Sequence, residues 1–328
     1  MVDEIFQDPV LNGKNLLVTG ATGMIGSYMI DRLMERSDVR VIAVGRSRER
    51  LAARFGRHGE RVRFATSPQE LGDLPADGRP DFVIHLASNT HPRAYAEDPI
   101  GTIECNVMMT RDWLEFAATC PNCRFVFASS VEIYGQNRGD VEFFDEAYCG
   151  YLDSNTLRAG YPESKRCGEA LCQAYLRQKG VDFVIPRLPR VYGPTLLKTD
   201  TKALSQFLGN ALRGEDIVLK SEGGQHFSYL HVHDAVTGLL TVMLKGETGE
   251  AYNLADPSGD IRLRDLAALV AAQAGRKVIF DLPDSTERAG FSTATTARLD
   301  PSKARSLGWK AAYTIETGIA DTFEGMKS

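Results

Sequence analysis

Hydrophobic residues fall along the chain in short runs separated by amphipathic stretches. Residues 15–20 read NLLVTG, an apolar run closed by glycine, which predicts a buried strand. Apolar positions at helical spacing follow over 25–36. Further apolar runs at 39–44, 81–86 and 124–128 predict strands, with a helix over 102–118 between the last two. A helix beginning near Tyr161 leads to another strand at 182–185. Strands alternating with helices predict an α/β, Rossmann-type doubly wound parallel sheet with right-handed crossovers.

Beyond Pro186 the pattern shortens. Helical stretches at 201–213 and 263–274 stand among Pro- and Gly-containing segments. This predicts a smaller, interleaved C-terminal lobe that binds substrate over the carboxyl ends of the strands. The expected division is a dinucleotide-binding domain at 12–185, with 229–255 returning to it. The substrate-binding lobe then comprises 186–228 and 256–328.

Composition narrows the partners. With 328 residues, 43% hydrophobic and 25% charged, the chain is an ordinary soluble type, and a net charge of −5 gives no reason to expect nucleic acid or an anionic membrane surface. No apolar run is long enough to span a bilayer, and the start, MVDEIFQDPV, lacks the basic flank and apolar core of a secretory signal. A cytoplasmic protein with a small-molecule substrate is expected, its six cysteines reduced. Cys120 and Cys123 form a lone CxxC without two further ligands, so a helix-to-strand turn is expected there rather than a metal site. His231 and His233, two apart in an expected strand, point to opposite faces, and with His85 they read as ordinary structural histidines. No metal is expected.

The first strand runs into GATGMIGS. Gly20, Gly23 and Gly26 open a helix at GxxGxxG spacing, where glycine permits positive φ and close approach of a pyrophosphate. The amides of Thr22, Met24 and Ile25 belong to the same cradle, at the positive end of the helix dipole. The second strand ends in Gly45-Arg46-Ser47-Arg48, without the acid that binds a ribose 2′-hydroxyl. Arg46 either pairs with a 2′-phosphate, favouring NADP over NAD, or is a solvated loop charge. Downstream, Tyr161 and Lys165 stand four apart at a helix start, where Pro162 suits the first turn.

Several ordered motifs resemble the extended short-chain dehydrogenase/reductases, in the NAD(P)-dependent nucleotide-sugar epimerase/dehydratase branch. They are GATGMIGS, HLAS at 85–88, Asn106 in CNVMMT, SSVEIYG at 129–135, YPESK and RVYGP at 190–194, followed by FSYLHVHDAV, YNLAD and SKARSLGW. The resemblance implies Tyr161 as catalytic phenol, Lys165 on the nicotinamide ribose and Ser130 as the third catalytic group. It implies cofactor contacts at Leu86, Ala87, Ser88 and Asn106, and a homodimer. A free phenol ionises near ~10, so it needs nearby positive charge to act as a base at neutral pH.

By the same resemblance, Glu132 matches the glutamate of dehydratases and decarboxylases, so transient oxidation of the sugar at C4 followed by elimination is expected. Val131 stands where dTDP-glucose dehydratases carry an acid and GDP-mannose dehydratases and UDP-glucuronate decarboxylases a small hydroxyl residue, so it departs from all three, which leaves 4-epimerisation as an alternative. Net NADPH-dependent carbonyl reduction is another, and a non-catalytic dinucleotide sensor a third. At the substrate end, Arg190 occupies a family Asn position, Phe227 a family Arg position, and Arg288 matches an arginine on the diphosphate. Arg190 and Arg288, with Tyr192, are the expected substrate contacts.

Overall fold

The computed structural model describes residues 3–89, 97–197, 200–281 and 295–327. Its strands are β1 (Asn15–Thr19), β2 (Arg40–Val44), β3 (Val62–Ala65), β4 (Phe82–His85), β5 (Arg124–Phe127), β6 (Ser129–Ser130) and β7 (Asp182–Leu188). They continue as β8 (Arg190–Tyr192), β9 (Ile217–Leu219), β10 (His226–His231), β11 (Ala251–Asn253), β12 (Asp260–Arg262), β13 (Val278–Phe280) and β14 (Thr296–Ala297). The α-helices are α1 (Met24–Arg36), α2 (Arg48–Phe55), α3 (Pro99–Ala118), α4 (Gly160–Lys179), α5 (Ala203–Leu212), α6 (Val232–Lys245), α7 (Leu263–Gln273), α8 (Ser302–Ser306) and α9 (Ile315–Lys327).

The main sheet has the order β11-β7-β5-β4-β1-β2-β3, with β6 paired to β7, and every pairing is parallel. Both faces are covered, which is why β1 is buried at all five positions. Leu16 and Val18 pack with α1 and α6, while the intervening Leu17 packs with α3. The chain runs outward in both directions from the neighbours β1 and β4, so a crevice opens beyond their carboxyl ends.

A second layer holds β8, β10, β12 and β14, flanked by α5, α7 and α9. Its core, including Phe207, Leu266 and Ile319, reaches Val131, Ile133 and Tyr134, beside the end of β6. This layer therefore stands over the crevice side of the main sheet.

The helix at 160–179 starts as the motif demands. Gly160 and Tyr161 open it, Pro162 lies in its first turn, and Gly180 ends it in left-handed conformation at φ 70°. The CxxC is the turn between α3 and β5, and all six cysteines are unbridged.

Some elements differ from expectation. The pattern at 62–65 gives β3, and Arg48 begins α2, capped by Ser47, where a loop was expected. His231 and His233 do not share a strand. His231 ends β10, and its Nδ1 accepts the His233 amide at 3.3 Å, capping α6. Capping converts the strand into a helix within two residues. No group of three or more metal-ligating side chains occurs among the described residues, and no described helix is long and apolar enough to cross a membrane.

Candidate active site

The turn after β1 places glycine where no other residue fits. Gly20 has φ +66°, and a β-carbon there would lie 2.9 Å from the Ala87 amide nitrogen. A β-carbon at Gly26 would lie 2.5 Å from the Gly20 carbonyl oxygen. The loop after β4, carrying Leu86, Ala87 and Ser88, thereby presses onto the loop after β1. Gly23 is the N-cap of α1 and offers no side-chain cap. The first-turn amides at Met24, Ile25 and Gly26 face the crevice end of the helix without intrahelical acceptors. Thr22, Met24 and Ile25 are half-buried there. The residues present fit a dinucleotide pyrophosphate, which would take up those amides and the positive end of the dipole.

A buried polar chain braces this junction. Thr19 Oγ1 accepts the Leu86 and Ala87 amides, each at 3.1 Å, so its hydrogen goes to His85 Nδ1 at 2.9 Å. His85 Nε2 then donates to Thr110 Oγ1 at 3.1 Å, and Thr110 donates to the Asn106 carbonyl. This fixes a neutral Nε2–H tautomer, consistent with burial pushing His85 down to about 3. His85 is structural, as its sequence context suggested.

Ser130, Tyr161 and Lys165 converge at the carboxyl end of β6. All three are buried. Ser130 Oγ accepts the Glu132 amide at 3.2 Å, capping the short turn Val131–Tyr134, and its hydroxyl reaches the Tyr161 hydroxyl. Lys165 Nζ donates to the Ala128 carbonyl at 2.9 Å and sits 4.9 Å from the Phe127 ring centre. Burial pushes Lys165 down to about 8. Burial also raises Tyr161 well above the usual tyrosine range; Glu132 adds to this, and the Ser130 and Ser88 hydroxyls oppose it. The ammonium is thus directed at a backbone carbonyl, and the protein alone keeps the phenol protonated. A cationic ring bound beside Tyr161 would supply the missing positive charge.

Glu132 is exposed next to Tyr161, while Val131 is buried in the second core. The turn that carries them is held from below. Arg187 of β7 pairs bidentately with Glu169 of α4 (Nε 3.0 Å, Nη2 2.7 Å) and donates to the Tyr134 hydroxyl at 2.9 Å. Tyr134 donates to Asn253 Oδ1 at 2.6 Å. Glu169 escaped the sequence reading, as did Ser164, Thr19 and Thr110; none lies in a pattern that separates it from its neighbours.

The remaining expected contacts are placed differently. Arg190 lies along the aromatic residues of β10: its register partner is Tyr229, and its guanidinium stacks on Phe227, 3.5 Å from the ring centre. One guanidinium nitrogen, Nη1, is buried without a partner among the described residues. Tyr192 is 2% exposed, sits edge-on to His231 and abuts Gly318. Arg46 is exposed at the end of β2, whereas Arg48 is held by Glu70 and the Phe64 carbonyl. Asn106 is buried and bonded to Ser88 and Ser164. Arg288 lies outside the described residues.

Comparison with known proteins gives the family and supports the fold. The model of the NAD dependent epimerase/dehydratase family matches residues 16–255. UDP-glucuronic acid decarboxylase 6 of Arabidopsis thaliana is 30% identical over 95% of this chain and 90% of its own. UDP-glucuronic acid decarboxylase 1 of Danio rerio is 29% identical over 95% of this chain and 72% of its own. Among solved structures, UDP-glucose 4-epimerase of Thermotoga maritima, crystallised with UDP-glucose, superposes with a TM-score of 0.82 at 24% identity, covering 95% of this chain and 98% of that one. The dTDP-glucose 4,6-dehydratase of Streptomyces venezuelae, crystallised with NAD, gives a TM-score of 0.78 at 24% identity, covering 94% and 96%.

Proposed function

The chain belongs to the NAD dependent epimerase/dehydratase family, and on that premise we propose that it is a nucleotide-sugar decarboxylase working through transient oxidation at C4. The observation that carries the reading is the convergence of Ser130, Tyr161 and Lys165 beside an exposed Glu132, in a chain whose similarity to UDP-glucuronic acid decarboxylases runs nearly end to end.

A nicotinamide dinucleotide held by the glycine cradle after β1 would supply the reversible hydride acceptor for C4. Tyr161 takes the C4 hydroxyl proton, with Ser130 donating a hydrogen bond to the same reacting oxygen. The resulting ketone lies β to the C5 carboxylate, so the C5–C6 bond breaks, carbon dioxide leaves, and its electron pair forms a C4–C5 enolate. A proton then returns to C5, for which Glu132 is the adjacent acid. Finally C4 is reduced and Tyr161 gives its proton back.

Decarboxylation requires no acid for a departing C6 hydroxyl. Val131, apolar and 5% exposed, supplies none, which favours this outcome over dehydration. Incubation with a panel of nucleotide sugars, followed by mass spectrometry, tests the reading. Loss of 44 mass units from a uronate is expected; loss of 18 would indicate dehydration, and an unchanged mass with altered stereochemistry would indicate 4-epimerisation. Net absorbance change at 340 nm during turnover would point to a carbonyl reductase.

Two finer assignments belong to the same proposal. Arg46 is the cation available at the end of β2 for a 2′-phosphate, which favours NADP; binding titrations with both cofactors decide. Ile100 and Ile103 of α3 and nearby Leu157 are exposed apolar residues, and they support a homodimer, checked by sedimentation equilibrium.

A further inference from the structure

One ion pair ties the two halves of the site together. Tyr161, Lys165 and Glu169 stand four apart along α4 and so share one side of the helix. Glu169 holds Arg187 of β7 through both carboxylate oxygens, at 3.0 and 2.7 Å, with the two side chains only 15% and 10% exposed. Arg187 in turn brackets the turn that carries Ser130 and Glu132. Its backbone is the register partner of Ser129, immediately before Ser130. Its Nη1 donates to the Tyr134 hydroxyl at 2.9 Å, at the far end of the turn, and to the Glu146 carbonyl at 2.7 Å. A guanidinium only donates, so the Tyr134 hydrogen is left for Asn253 Oδ1 at 2.6 Å. Asn253 Nδ2 donates to the Phe144 and Asp300 carbonyls at 2.9 and 3.2 Å, which fixes the amide in that orientation. The Tyr134 hydroxyl is thus satisfied on both sides.

We propose that Glu169 and Arg187 are positioning residues for the reaction: their pair locks α4, with Tyr161 and Lys165, at a set distance from the turn that presents Ser130 and Glu132. This deepens the function proposed above and rests on the roles assigned there to those side chains. A buried ion pair is a weak source of stability, because desolvating two charges offsets much of their attraction. It does fix direction and spacing, since a bidentate guanidinium–carboxylate contact tolerates little rotation or slip. Proton transfer needs that precision: a displacement of about 1 Å can cost ~10²-fold in rate. Three substitutions take the link apart at different points. Glu169→Gln keeps the size of the side chain and removes its charge. Arg187→Lys keeps the charge and removes the planar fork. Tyr134→Phe leaves the pair intact and removes only its hold on the turn.

The test combines kinetics with a readout that needs no turnover. Each variant is expected to lower kcat about tenfold or more per dinucleotide-loaded site, with KM within about twofold of wild type. The losses in Glu169→Gln and Tyr134→Phe should not multiply in the double variant, because both break the same link. A role in folding alone would lower the loaded fraction and leave kcat per loaded site at the wild-type value. Hydrogen–deuterium exchange on the dinucleotide-loaded protein is expected to quicken about tenfold across 129–135 in the same variants, with β1 unchanged. Wild-type kcat in Glu169→Gln and Tyr134→Phe, losses that multiply, or exchange across 129–135 that stays put overturns the proposal. Tyr134→Phe removes a single hydroxyl and keeps the test available should the charge variants fail to fold. A wild-type protein that converts no sugar would instead count against the assigned function, and the exchange measurement would still decide whether the pair holds the turn.

Discussion

The guanidinium of Arg190 lies flat on Phe227, 3.5 Å from the ring centre, on a face the two residues share with Tyr229. Stacking fixes the plane of the cation, and its buried Nη1 has no partner among the described residues. Replacing Arg190 with Met is expected to raise KM for a diphosphate-linked sugar about tenfold or more, the scale of one charge-assisted bond. kcat should change little. Steady-state kinetics check this, and a fall in kcat at constant KM would remove Arg190 from substrate binding.

Tyr161→Phe removes the proton acceptor while keeping the ring. Turnover is expected to fall by roughly 10²–10⁴, with cofactor affinity nearly unchanged, because the glycine cradle is untouched. Kinetics and a cofactor-binding titration on the same preparation separate the two effects. Full activity in this variant would sink the catalytic assignment.

Lys165 is held for function at a cost in stability. Burial lowers its pKa from 10.5 to about 8, so the unfolded chain holds this proton more tightly between those values. Its penalty is therefore fully present below pH 8 and relaxes as pH rises towards 10.5. Lys165→Met is expected to be inactive yet more stable at pH 7, by about 1–3 kcal/mol after losing the bond to Ala128. Against wild type, that advantage should shrink as pH rises through the same window. Denaturant melts at pH 7 and pH 10 measure both.

Gly26 and Gly23 are distinguishable. A β-carbon at Gly26 meets the Gly20 carbonyl oxygen at 2.5 Å, and one at Gly23 meets it at 3.1 Å. Gly26→Ala is expected to cost about 1–3 kcal/mol and weaken dinucleotide binding by spreading the loop. Gly23→Ala should be the milder change on both counts. Thermal melts with and without cofactor give the comparison.

The sequence by itself determined what depends on neighbours along the chain. Short apolar runs and period-3.6 patterns set the alternation of strands and helices, and the glycines at 20, 23 and 26 marked the tight turn between the first strand and helix. Tyr161, Pro162 and Lys165 defined a helix start. The weaker pattern at 62–65 hid β3, and the cap that turns β10 into α6 hid the change of element between His231 and His233. Tertiary structure alone decided the rest, because those contacts join residues far apart in sequence. Ser88, Asn106 and Ser164 form one hydrogen-bonded chain only once β4, α3 and α4 are packed together. The same packing directs the Lys165 ammonium at Ala128 rather than at the phenol. It buries Tyr192 against Gly318, and it lays Arg190 on Phe227 through the pairing of β8 with β10. A hydroxyl or guanidinium carries no periodic signal; its partner is fixed by strand register and helix docking, which local sequence does not encode.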